Sequence, residues 1–394
     1  MKCRITKQNC KIFLNLGKMP IANGFLKKKD FKKEYFFSLK VAFCEPLKLV
    51  QLVSHPEPKK MFNKNYPFYT SSSKYMISHF KKYSDWIKKN FLSKTGNLLE
   101  LGSNDGTFLK NFSNNFKVGF EPSKSVHDLA KKKGLNSINK FFNLLSIKPF
   151  LKKKIKFDVI VGSNVICHIP DQNNLIKSFD KLLSEKGFII FEEPYLGSMY
   201  KKTSYDQIYD EHIFMFSASS VDRIYKKHGF KLIDAIPQKT HGGSMRYVIT
   251  RNKNTRISNR LKKILFKENK FLIDSFKGCQ VFKKKVENSK TKLTKKLLKL
   301  KKEGHKICGY GATSKSTTIL NYCKINSNII DCIFDTTKDK IGKFSPGMHI
   351  PIRDYKYFKK SKYKKIFLFA WNHKKEILKK EKNLKKIEWF SHLN

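Results

Sequence analysis

The sequence predicts an α/β protein with two doubly wound units and a small N-terminal segment. Between about residues 98 and 250, short apolar runs alternate with helical patterns, and a second alternation of this kind begins near residue 305. Strands that alternate with helices form a largely parallel sheet with helices on both faces. Each alternation starts with a strand that leads into glycines, Gly102 and Gly106 in the first and Gly309 and Gly311 in the second.

Length and composition allow two or three domains. The chain has 394 residues, of which 40% are hydrophobic, and its 34 phenylalanines favour folded cores over disorder. We predict a small, loop-rich N-terminal domain over residues 1–65 and a cofactor-binding domain over 66–250. Residues 251–394 are predicted as a helical linker and a second α/β domain, because the Lys-rich stretch 252–303 carries apolar residues at helical spacing.

The pattern also places individual elements. A helix over about residues 74–92 leads into the first glycine motif. Short apolar runs bounded by turn residues are predicted as strands. Two such strands are expected within 37–53, and the others lie near 98–101, 117–121, 158–163, 187–192, 231–236, 245–250, 305–308, 329–335 and 365–370.

The net charge of +52 raises the question of a nucleic-acid partner. Only seven of the 83 basic residues are arginine, and the lysines are spread along the chain together with Asn, Ile and Phe. This distribution favours general compositional drift and a solvated surface over a selected basic patch. No specific nucleic-acid partner is therefore predicted.

Other compositional features bear on the compartment. No run of about 18 apolar residues occurs, so we expect no transmembrane helix and no membrane partner. Residues 1–10 lack the apolar segment of a secretory signal, which predicts a cytoplasmic protein. The eight cysteines are scattered and favour reduced thiols over a disulfide framework.

The most specific local pattern is the segment Leu98–Leu109, an apolar strand that ends in an acid and a small-residue turn that opens a helix. Glycines in such a turn let a ligand approach the backbone closely. The acid Glu121, after the next strand, suits ribose hydroxyls. The spacing E-x-G-x-x-x-G differs from the dinucleotide pattern G-x-G-x-x-G. It resembles motif I of class I S-adenosylmethionine (SAM) methyltransferases.

That resemblance implies SAM as the cofactor. Asp105 and the backbone of Gly102–Gly106 would face its amino-acid part, Glu121 its ribose and Asn143 its adenine. The residues expected to bind the cofactor are Glu100, Gly102, Ser103, Asn104, Asp105, Gly106, Phe108, Glu121, Asn143 and Asn164.

A second cluster, Tyr209-Asp210-Glu211-His212, combines a phenol, two carboxylates and an imidazole among apolar residues. Such a set suits proton transfer, because histidine exchanges a proton near neutral pH and its neighbours set its tautomer. The segment His241–Arg246, with the sequence HGGSMR, makes the pattern more specific. His168, which follows another predicted strand, is open to a catalytic or a structural interpretation.

Together, these motifs resemble the sugar-nucleotide C-methyltransferases over nearly the whole chain. Members of that family methylate the 3-position carbon of 4-keto-deoxyhexoses in deoxysugar biosynthesis. The matching runs, in the family's order, are Leu16–Leu26 (LG-x-x-P-x-AN-x-FL), Tyr209–His212 (Y-x-EH), His241–Arg246 (HGGS-x-R), Gly309–Ala312, Pro346–Pro351 and Ala370–Asn372.

The resemblance implies a class I methyltransferase domain with a Rossmann-like fold, a small N-terminal domain and a second, cofactor-free Rossmann-like domain that helps to bind the sugar nucleotide. His212 would remove the proton from carbon 3, and Tyr209 and Glu211 would orient the base and steady the enolate. The enolate would then take the methyl group from SAM. The substrate-binding residues would be Tyr195, His241, Gly243, Ser244, Arg246 and Lys315, with Arg246 on the diphosphate.

The N-terminal segment departs from the family at its metal site. The family carries two C-x-x-C pairs there, and four thiolates suit a structural zinc ion. Here Cys3 and Cys44 stand at the first positions, but Thr6 and Leu47 stand at the second, and Cys10 would add only a third thiolate. We therefore expect no bound metal and interpret Cys3 and Cys44 as remnants of a zinc site.

The C-terminal unit departs from the family after its GYGA run. The family often continues with PAKGN, whereas residues 313–317 are TSKST and keep only Lys315. A G-x-G after a strand also occurs in NAD-binding units, with Asp335 here the nearest acid. An NAD-dependent oxidoreductase, and a methyltransferase acting on nucleic acid or another small molecule, remain as alternatives. The sequence leaves open the sugar, the nucleotide, the stereochemistry of methylation and the oligomeric state.

Overall fold

The computed structural model describes residues 1–62, 69–384 and 386–393. Its strands are β1 (Lys11–Pro20), β2 (Phe36–Cys44), β3 (Leu49–Leu52), β4 (Leu98–Leu101), β5 (Lys117–Phe120), β6 (Ser137–Ile138), β7 (Phe157–Ser163), β8 (Leu183–Pro194), β9 (Phe214–Met215), β10 (Lys231–Gln238), β11 (Ser244–Thr250), β12 (Ile307–Tyr310), β13 (Cys332–Asp335), β14 (Ile352–Asp354), β15 (Lys365–Leu368) and β16 (Glu388–Phe390). Its α-helices are α1 (Pro58–Met61), α2 (Lys74–Asn90), α3 (Lys124–Lys132), α4 (Lys148–Lys152), α5 (Gln172–Leu182), α6 (Leu196–Lys202), α7 (Ala218–Lys226), α8 (Asn259–Lys270), α9 (Phe276–Lys302), α10 (Ser314–Tyr322) and α11 (Lys374–Lys380).

The N-terminal sheet is antiparallel, with the strand order β1-β2-β3-β9. Its last strand, β9, comes from the middle of the chain and pairs Met215 with Val50 of β3. The sheet therefore ties the N-terminal segment to the residues that directly follow Tyr209–His212. The two strands predicted within 37–53 are confirmed as β2 and β3.

The central sheet has seven strands in the order β10-β11-β8-β7-β4-β5-β6. From β8 to β6 neighbouring strands are parallel, and β11 and β10 extend the sheet beyond β8 in antiparallel pairs. All four residues of β4 are buried, as expected for a strand covered on both faces. In open sheets of this kind, ligands bind beyond the carboxyl ends of the parallel strands. The residues that follow β4, β5 and β7 therefore share one candidate ligand-binding edge.

All six strands predicted between residues 98 and 250 are present, with ends that differ by a few residues. The helix predicted after the glycine turn is wrong. Leu109–Asn111 form a single 3-10 turn instead. Ser113, Asn114 and Asn115 follow it, and their side chains compete for backbone hydrogen bonds and so favour turns over helix.

The C-terminal sheet has five parallel strands in the order β14-β13-β12-β15-β16. The linking helices predicted within 252–303 are confirmed as α8 and α9. After β12 the chain turns at Gly311 and enters α10, which Thr313 caps because its hydroxyl accepts the Ser316 amide at 3.2 Å. This strand-turn-helix corner points toward the central sheet's ligand edge.

One apolar cluster joins the N-terminal sheet to the C-terminal unit. It includes Leu39 and Leu52 of the N-terminal sheet, Phe282 and Leu297 of α9 and Ile319 of α10, and each of these side chains is buried. Full burial of one such side chain stabilises a fold by roughly 1.5–3 kcal/mol. The two flanking units therefore share a core beside the central sheet.

The predicted boundary between residues 65 and 66 lies outside the described residues. The other predicted boundary, after residue 250, falls at the end of β11. We keep the three-domain division of 1–65, 66–250 and 251–394 as a proposal, since each of these ranges contributes most of one sheet.

The surface lysines are dispersed, and several form ion pairs with the scattered acids. On α9 the Lys299 ammonium lies 3.8 Å from Glu303, and Lys296 lies 2.8 Å from Glu388 of β16. Exposed pairs of this type contribute about 0–1 kcal/mol. Within the described parts of the chain, no helix combines the length and the apolar character that a membrane span requires.

Candidate active site

A cavity of about 1790 Å³ lies where the ligand edge of the central sheet faces the C-terminal unit. Its walls come from the turn after β4, from the segment that carries Tyr209, Glu211 and His212, and from the loops around α10 and α11. Asn23 of the N-terminal segment lines it as well. Pockets for single small ligands measure about 300–1,000 Å³, so this cavity has room for a methyl donor and an acceptor together.

The turn after β4 has an unusual backbone that depends on its small residues. Gly102 and Gly106 have φ values of 61° and 75°, and Asn104 has a φ of 48°. A Cβ on Gly106 would lie 2.1 Å from Leu135 Cδ1, so a larger residue would have to displace that side chain and adopt a strained positive φ. The turn therefore holds its amides and carbonyls at the floor of the cavity.

Three carboxyl groups surround this turn. Burial, reinforced by the charges of Glu121 and Asp105, raises the pKa of Glu100 well above its usual range. Burial also raises the pKa of Glu121 to about 7, although the amides of Ser123 and Asn104 donate to its two oxygens at 2.8 and 3.0 Å. An acid-rich pocket suits a ligand that brings positive charge and hydroxyl donors.

Asp105 differs from the other two acids, because it does not line the cavity. Burial acts to raise its pKa, but hydrogen bonds from Ser71 and Thr107 outweigh this and lower it. The Ser71 amide lies 3.0 Å and the Thr107 hydroxyl 2.6 Å from the carboxylate. The expectation that Asp105 faces the cofactor therefore changes. Asp105 stabilises the turn through these hydrogen bonds without lining the cavity. Gly106 also lies outside the cavity wall.

The other predicted cofactor residues line the cavity: Glu100, Gly102, Ser103, Asn104, Phe108, Glu121, Asn143 and Asn164. Asn143 closes a turn, since its side-chain oxygen accepts the amides of Leu145 and Ser146. Asn164 has a φ of 53° and donates from Nδ2 to Nε2 of His241 at 2.9 Å.

Glu193 supports the loop that follows Asn164. One of its oxygens accepts the backbone amides of Val165, Ile166 and Cys167 at 3.0, 2.7 and 3.3 Å. Burial raises the pKa of Glu193 to about 7. These three hydrogen bonds hold the backbone of the loop and so fix the direction in which Asn164 and His168 enter the cavity.

The cavity wall carries buried polar atoms that fit a nucleoside-bearing ligand. Among the described residues, Glu100 Oε2, Ser103 Oγ and Asn164 Oδ1 have no hydrogen-bond partner. Buried polar groups are nearly always satisfied, by protein, water or ligand. Asn164 Oδ1 accepts, and the Ser103 hydroxyl and the Glu100 carboxyl can each donate or accept, so the three atoms suit the polar groups of a nucleoside-bearing ligand such as SAM.

The geometry around His212 defines its tautomer. Its Nδ1 lies 2.7 Å from the carbonyl oxygen of Gln207, which can only accept, so Nδ1 carries the proton. Its Nε2 therefore accepts from the Tyr209 hydroxyl, at 2.9 Å. Burial, helped by the neighbouring His168, lowers the pKa of His212 well below its usual range. The result is a neutral imidazole with a lone pair on Nε2 at the cavity wall.

The acids beside His212 are held by the N-terminal run. The Ala22 amide donates to Asp210 at 3.1 Å, and the Asn23 side-chain amide donates to Glu211 at 2.6 Å. Burial and the nearby Glu211 raise the pKa of Asp210 well above its usual range. Burial also raises the pKa of Tyr209 well above its usual range, so the phenol keeps its proton.

His168 lies against the ring of His212, with centroids 5.4 Å apart and an interplanar angle of 20°. Burial lowers its pKa to about 3, so it is neutral as well. Its Nε2 is buried at the cavity wall and has no hydrogen-bond partner among the described residues. A polar ligand can therefore form a hydrogen bond with His168 Nε2. The catalytic and the structural interpretations of this residue both stay open.

Four of the six predicted substrate residues do not line the cavity: Tyr195, Gly243, Ser244 and Arg246. Arg246 lies opposite Glu192 in the β11–β8 pair and binds its carboxylate at 2.5 Å. Its guanidinium also lies 3.8 Å from the ring centre of Tyr83. The expected diphosphate contact is replaced by a buried ion pair beneath the site.

Tyr195 and Ser244 likewise make hydrogen bonds within the fold and do not face the cavity. The Tyr195 hydroxyl donates to Glu268 at 2.9 Å, and the Ser244 hydroxyl donates to the Thr240 carbonyl at 3.1 Å. Gly243 admits the side chain of Ser198, whose Oγ would lie 2.5 Å from an added Cβ. These residues shape the wall without forming its surface.

His241 and Lys315 do line the cavity, and they are in contact with each other there. The Lys315 ammonium donates to the His241 carbonyl at 3.4 Å and lies 5.3 Å from the ring centre of Trp371. Burial lowers the pKa of Lys315, opposed by Asp206, and lowers that of His241 to about 3. Asp206 accepts the Trp371 indole N–H at 2.6 Å.

The second glycine corner carries basic side chains into the same cavity. Lys338, Lys340 and Lys380 line it with Lys315. Burial lowers the pKa of Lys340. The carboxylate of Asp335, the acid considered for an NAD ribose, accepts the amides of Ala312 and Thr337 at 2.6 and 2.7 Å. It closes the turn, and the corner presents cations to the cavity.

The structure brings three cysteines together in the N-terminal unit. The sulfur atoms of Cys3, Cys10 and Cys44 all lie within 4.8 Å of one another and are buried. Cys10 thus joins the two predicted remnants, although its spacing in the sequence is irregular. Three thiolates are one ligand short of a closed structural zinc site, and no other Cys, His, Asp or Glu among the described residues belongs to this group.

Sequence reasoning missed several residues of the site. Asn23 was visible inside the N-terminal run, but its role in holding Glu211 depends on a contact across 188 positions of sequence. The cations Lys338, Lys340 and Lys380 carry no motif that separates them from other lysines. The sequence analysis leaves the role of His168 open, and it does not single out Asp206, which lies three residues before Tyr209.

Comparison with known proteins adds three family matches in consecutive order. Residues 3–62 match a family model described as "Putative zinc binding domain", residues 75–235 match "Methyltransferase domain", and residues 239–389 match "C-methyltransferase C-terminal domain". The C-methyltransferase NovU of Streptomyces niveus is 26% identical over 374 residues, which cover 94% of this chain and 89% of NovU. An uncharacterized protein of Methanocaldococcus jannaschii, MJ1123, is 27% identical over 45% of this chain and 80% of its own length.

Among solved structures, the magnesium protoporphyrin IX methyltransferase of Synechocystis PCC 6803 with bound SAM aligns with 45% of this chain and 79% of its own, at 11% identity and a TM-score of 0.34. A likeness this low carries no argument. The family matches and the similarity to NovU do support an assignment. They agree with the order of the central sheet and with the turn after β4. The chain is a SAM-dependent C-methyltransferase with a class I methyltransferase fold.

Proposed function

We propose that this C-methyltransferase acts on a nucleoside-diphosphate 4-keto-deoxysugar and that His212 is the base that removes the proton from carbon 3. The carrying observation is the tautomer of His212, which presents the Nε2 lone pair beside the Tyr209 hydroxyl at the cavity wall. A base needs this unprotonated form. The motif order shared with sugar-nucleotide C-methyltransferases suggests the substrate class.

The proposed proton transfer uses both partners of the imidazole. The 4-ketone acidifies the neighbouring C–H bond, so His212 Nε2 takes the proton while the C–H electron pair forms the enolate. The Tyr209 hydroxyl, displaced from Nε2, donates to the enolate oxygen. The Gln207 carbonyl accepts from Nδ1 and stabilises the imidazolium that forms. The enolate carbon then forms a bond to the transferred methyl group, and the pair of electrons in the broken bond stays with the sulfur.

SAM would supply the methyl group as a sulfonium, which is electrophilic without a metal. Residues of this chain would hold it at the turn after β4. Glu121 would accept ribose hydroxyls, and Glu100 and Ser103 offer the unsatisfied polar atoms nearest the turn. Placing donor and acceptor in one cavity supplies the orientation that this transfer requires.

The cations of the C-terminal corner support a sugar nucleotide as the acceptor. Lys315, Lys338, Lys340 and Lys380 line the cavity where the C-terminal unit forms its wall. Ammonium groups bind phosphate as point charges. The diphosphate role first assigned to Arg246 therefore passes, in this proposal, to lysines at the C-terminal corner.

The direct test supplies purified protein with SAM and a panel of nucleoside-diphosphate 4-keto-deoxysugars. We expect release of S-adenosylhomocysteine and a sugar product one methyl group heavier. With S-adenosylhomocysteine in place of SAM, the carbon-3 proton should exchange with deuterated water. His212→Asn should slow both reactions by about 10³-fold or more while SAM binding, measured by calorimetry, stays intact.

His228→Asn is the matched control, because His228 Nε2 donates to the Asn173 side-chain oxygen at 3.0 Å, outside the cavity wall. It should retain both reactions. Turnover of SAM with an RNA or with a small molecule that is not a keto sugar, and none with the sugar panel, would replace the proposed substrate. Wild-type exchange in His212→Asn would remove the base assignment.

A further inference from the structure

The segment Tyr205–His212 carries the proposed base without a regular element to hold it. Only Tyr205–Gln207 form a 3-10 turn, and the residues from Ile208 to His212 lie in irregular backbone. All of them are buried all the same. A buried irregular segment needs partners for its polar groups from elsewhere in the fold.

α10 supplies one such partner next to the imidazole. The Thr318 hydroxyl donates to the Ile208 carbonyl at 2.8 Å, across 110 positions of sequence. Ile208 stands between Gln207, whose carbonyl accepts from His212 Nδ1, and Tyr209, whose hydroxyl contacts Nε2. The bond therefore anchors the peptide that joins both partners of the imidazole.

The preceding residue of α10 supplies a second, indirect partner. The Thr317 hydroxyl donates to the Ala22 carbonyl at 2.9 Å. The amide of the same Ala22 donates to Asp210, and the next residue, Asn23, donates to Glu211. α10 thus holds the N-terminal run that in turn holds the two acids before His212.

Threonine in a helix commonly turns its hydroxyl back to a carbonyl three or four residues earlier in the same helix. Thr317 and Thr318 both direct their hydroxyls out of α10, to two different segments of the chain. Both are nearly inaccessible to solvent, at 1% exposure. Thr317 lies at the last position of the TSKST run, where the chain departs from its relatives, and Thr318 follows it.

We infer that Thr317 and Thr318 are positioning residues for His212, through the Ile208 carbonyl and through Ala22. This inference rests on the proposed role of His212 as the base. It also links the two sides of the cavity, because Lys315, in the first turn of the same helix, lines the cavity on the acceptor side. A ligand that moves α10 would change the orientation of the base.

The test compares Thr318→Val and Thr317→Val with their serine counterparts. Valine keeps the branched shape and removes the donor, whereas serine keeps the donor. We expect Thr318→Val to lower kcat and the carbon-3 deuterium exchange rate about 10- to 100-fold, with KM and the SAM Kd within about twofold. Thr317→Val should lower both rates less, since it acts through Ala22. Thr318→Ser should recover the rates to within about threefold of the wild type.

Thr250→Val is the matched control, because the Thr250 hydroxyl is buried and donates to a carbonyl, that of Gly187, away from the cavity. It should lower thermal stability without changing the rates per SAM-binding site. Rates for Thr318→Val equal to those of Thr250→Val would overturn the inference. If Thr318→Val does not fold, Thr318→Ala removes the same donor from a smaller side chain and carries the same expectation.

The two proposals fail in different ways. Wild-type activity in His212→Asn would remove the proposed base and with it the basis for the threonines. An inactive His212→Asn together with fully active Thr318→Val would leave the proposed function standing and reject the positioning role alone.

Discussion

The two halves of the cavity are held in place by different means. The donor half, Glu100–Phe108 with Glu121, is fixed by bonds between near neighbours, such as the Thr107 hydroxyl on Asp105 and the Asn104 amide on Glu121. The acceptor half, Tyr205–His212, is fixed from other units, across 188 positions by the N-terminal run and 110 by α10. The donor half is therefore shaped mostly within one strand-turn-strand segment, with the Ser71 amide on Asp105 as an outside contact. The acceptor half depends in addition on contacts from the N-terminal run and from α10.

The largest expected effect concerns Arg246, which sequence similarity places in the acceptor half and the structure places beneath the site. Arg246→Met leaves the buried Glu192 carboxylate without its guanidinium. Removing one partner of a buried ion pair costs about 3–5 kcal/mol. We expect a loss of that order in the free energy of unfolding, measured by chemical denaturation, and a KM for the sugar nucleotide within about twofold of the wild type.

Arg251→Met is the control for that substitution, because Arg251 pairs with Asp180 at 3.0 Å in a more exposed position. Its loss should be about 1 kcal/mol or less. A large rise in KM for Arg246→Met without a loss of stability would return Arg246 to the acceptor half.

The next effect tests whether the N-terminal run belongs to the acceptor half. Asn23→Ala removes the amide that donates to Glu211 at 2.6 Å. Removing the donor of a buried hydrogen bond costs about 1–3 kcal/mol, so kcat should fall roughly 5- to 100-fold. SAM affinity, measured by calorimetry, should not change, because the donor half has its own supports.

Asn97→Ala provides the comparison for Asn23→Ala, since the Asn97 amide donates to the Lys156 carbonyl at an exposed site. It should leave kcat unchanged. Equal losses of kcat and SAM affinity in Asn23→Ala would show that the two halves are not independently held.

A smaller effect belongs to the donor half and depends on pH. Burial raises the pKa of Glu121 from 4.5 to about 7. The folded apo protein therefore binds this proton more tightly than the unfolded chain, and Glu121 contributes stability below pH 4.5 that is lost as the pH rises through about 7. Glu121→Gln should reduce this decline in the free energy of unfolding, measured from acid to neutral pH.

The same carboxyl should govern cofactor affinity with the opposite sign. The ionised form is the better acceptor for ribose hydroxyls, so SAM affinity should rise as the pH passes about 7. Glu121→Gln should bind SAM about tenfold more weakly and lose this pH dependence. Glu268→Gln is the matched control, since burial also raises the pKa of Glu268 but its side chain lies off the cavity wall, and it should leave SAM affinity unchanged. An unchanged SAM affinity in Glu121→Gln would contradict the ribose assignment.

These differences explain which parts of the molecule the sequence could predict. The donor half follows from one contiguous segment, and most of the residues expected there line the cavity. Asp105 is the exception, because the Ser71 amide that turns it away comes from a segment without a motif. The position of Arg246 is not predicted by its motif, because the register of β11 against β8 pairs it with Glu192. Sheet register is a non-local property that a motif does not report.

The smallest expected effect concerns the three cysteines of the N-terminal unit. Because that unit supplies Ala22 and Asn23, anything that stabilises it also stabilises the acceptor half. Cys3, Cys10 and Cys44 offer three ligands within 4.8 Å, whereas closed structural zinc sites use four. We expect the purified protein to contain far less than one zinc ion per chain by elemental analysis.

Chelator treatment should accordingly leave both kcat and the SAM Kd unchanged. Cys10→Ser should lose no more stability than Cys279→Ser, since both cysteines are buried thiols and only Cys10 belongs to the cluster. One zinc per chain, with kcat lost on chelation while SAM binding persists, would reverse this expectation. The acceptor half would then depend on a metal in the N-terminal unit, which would extend the contrast with the donor half rather than abolish it.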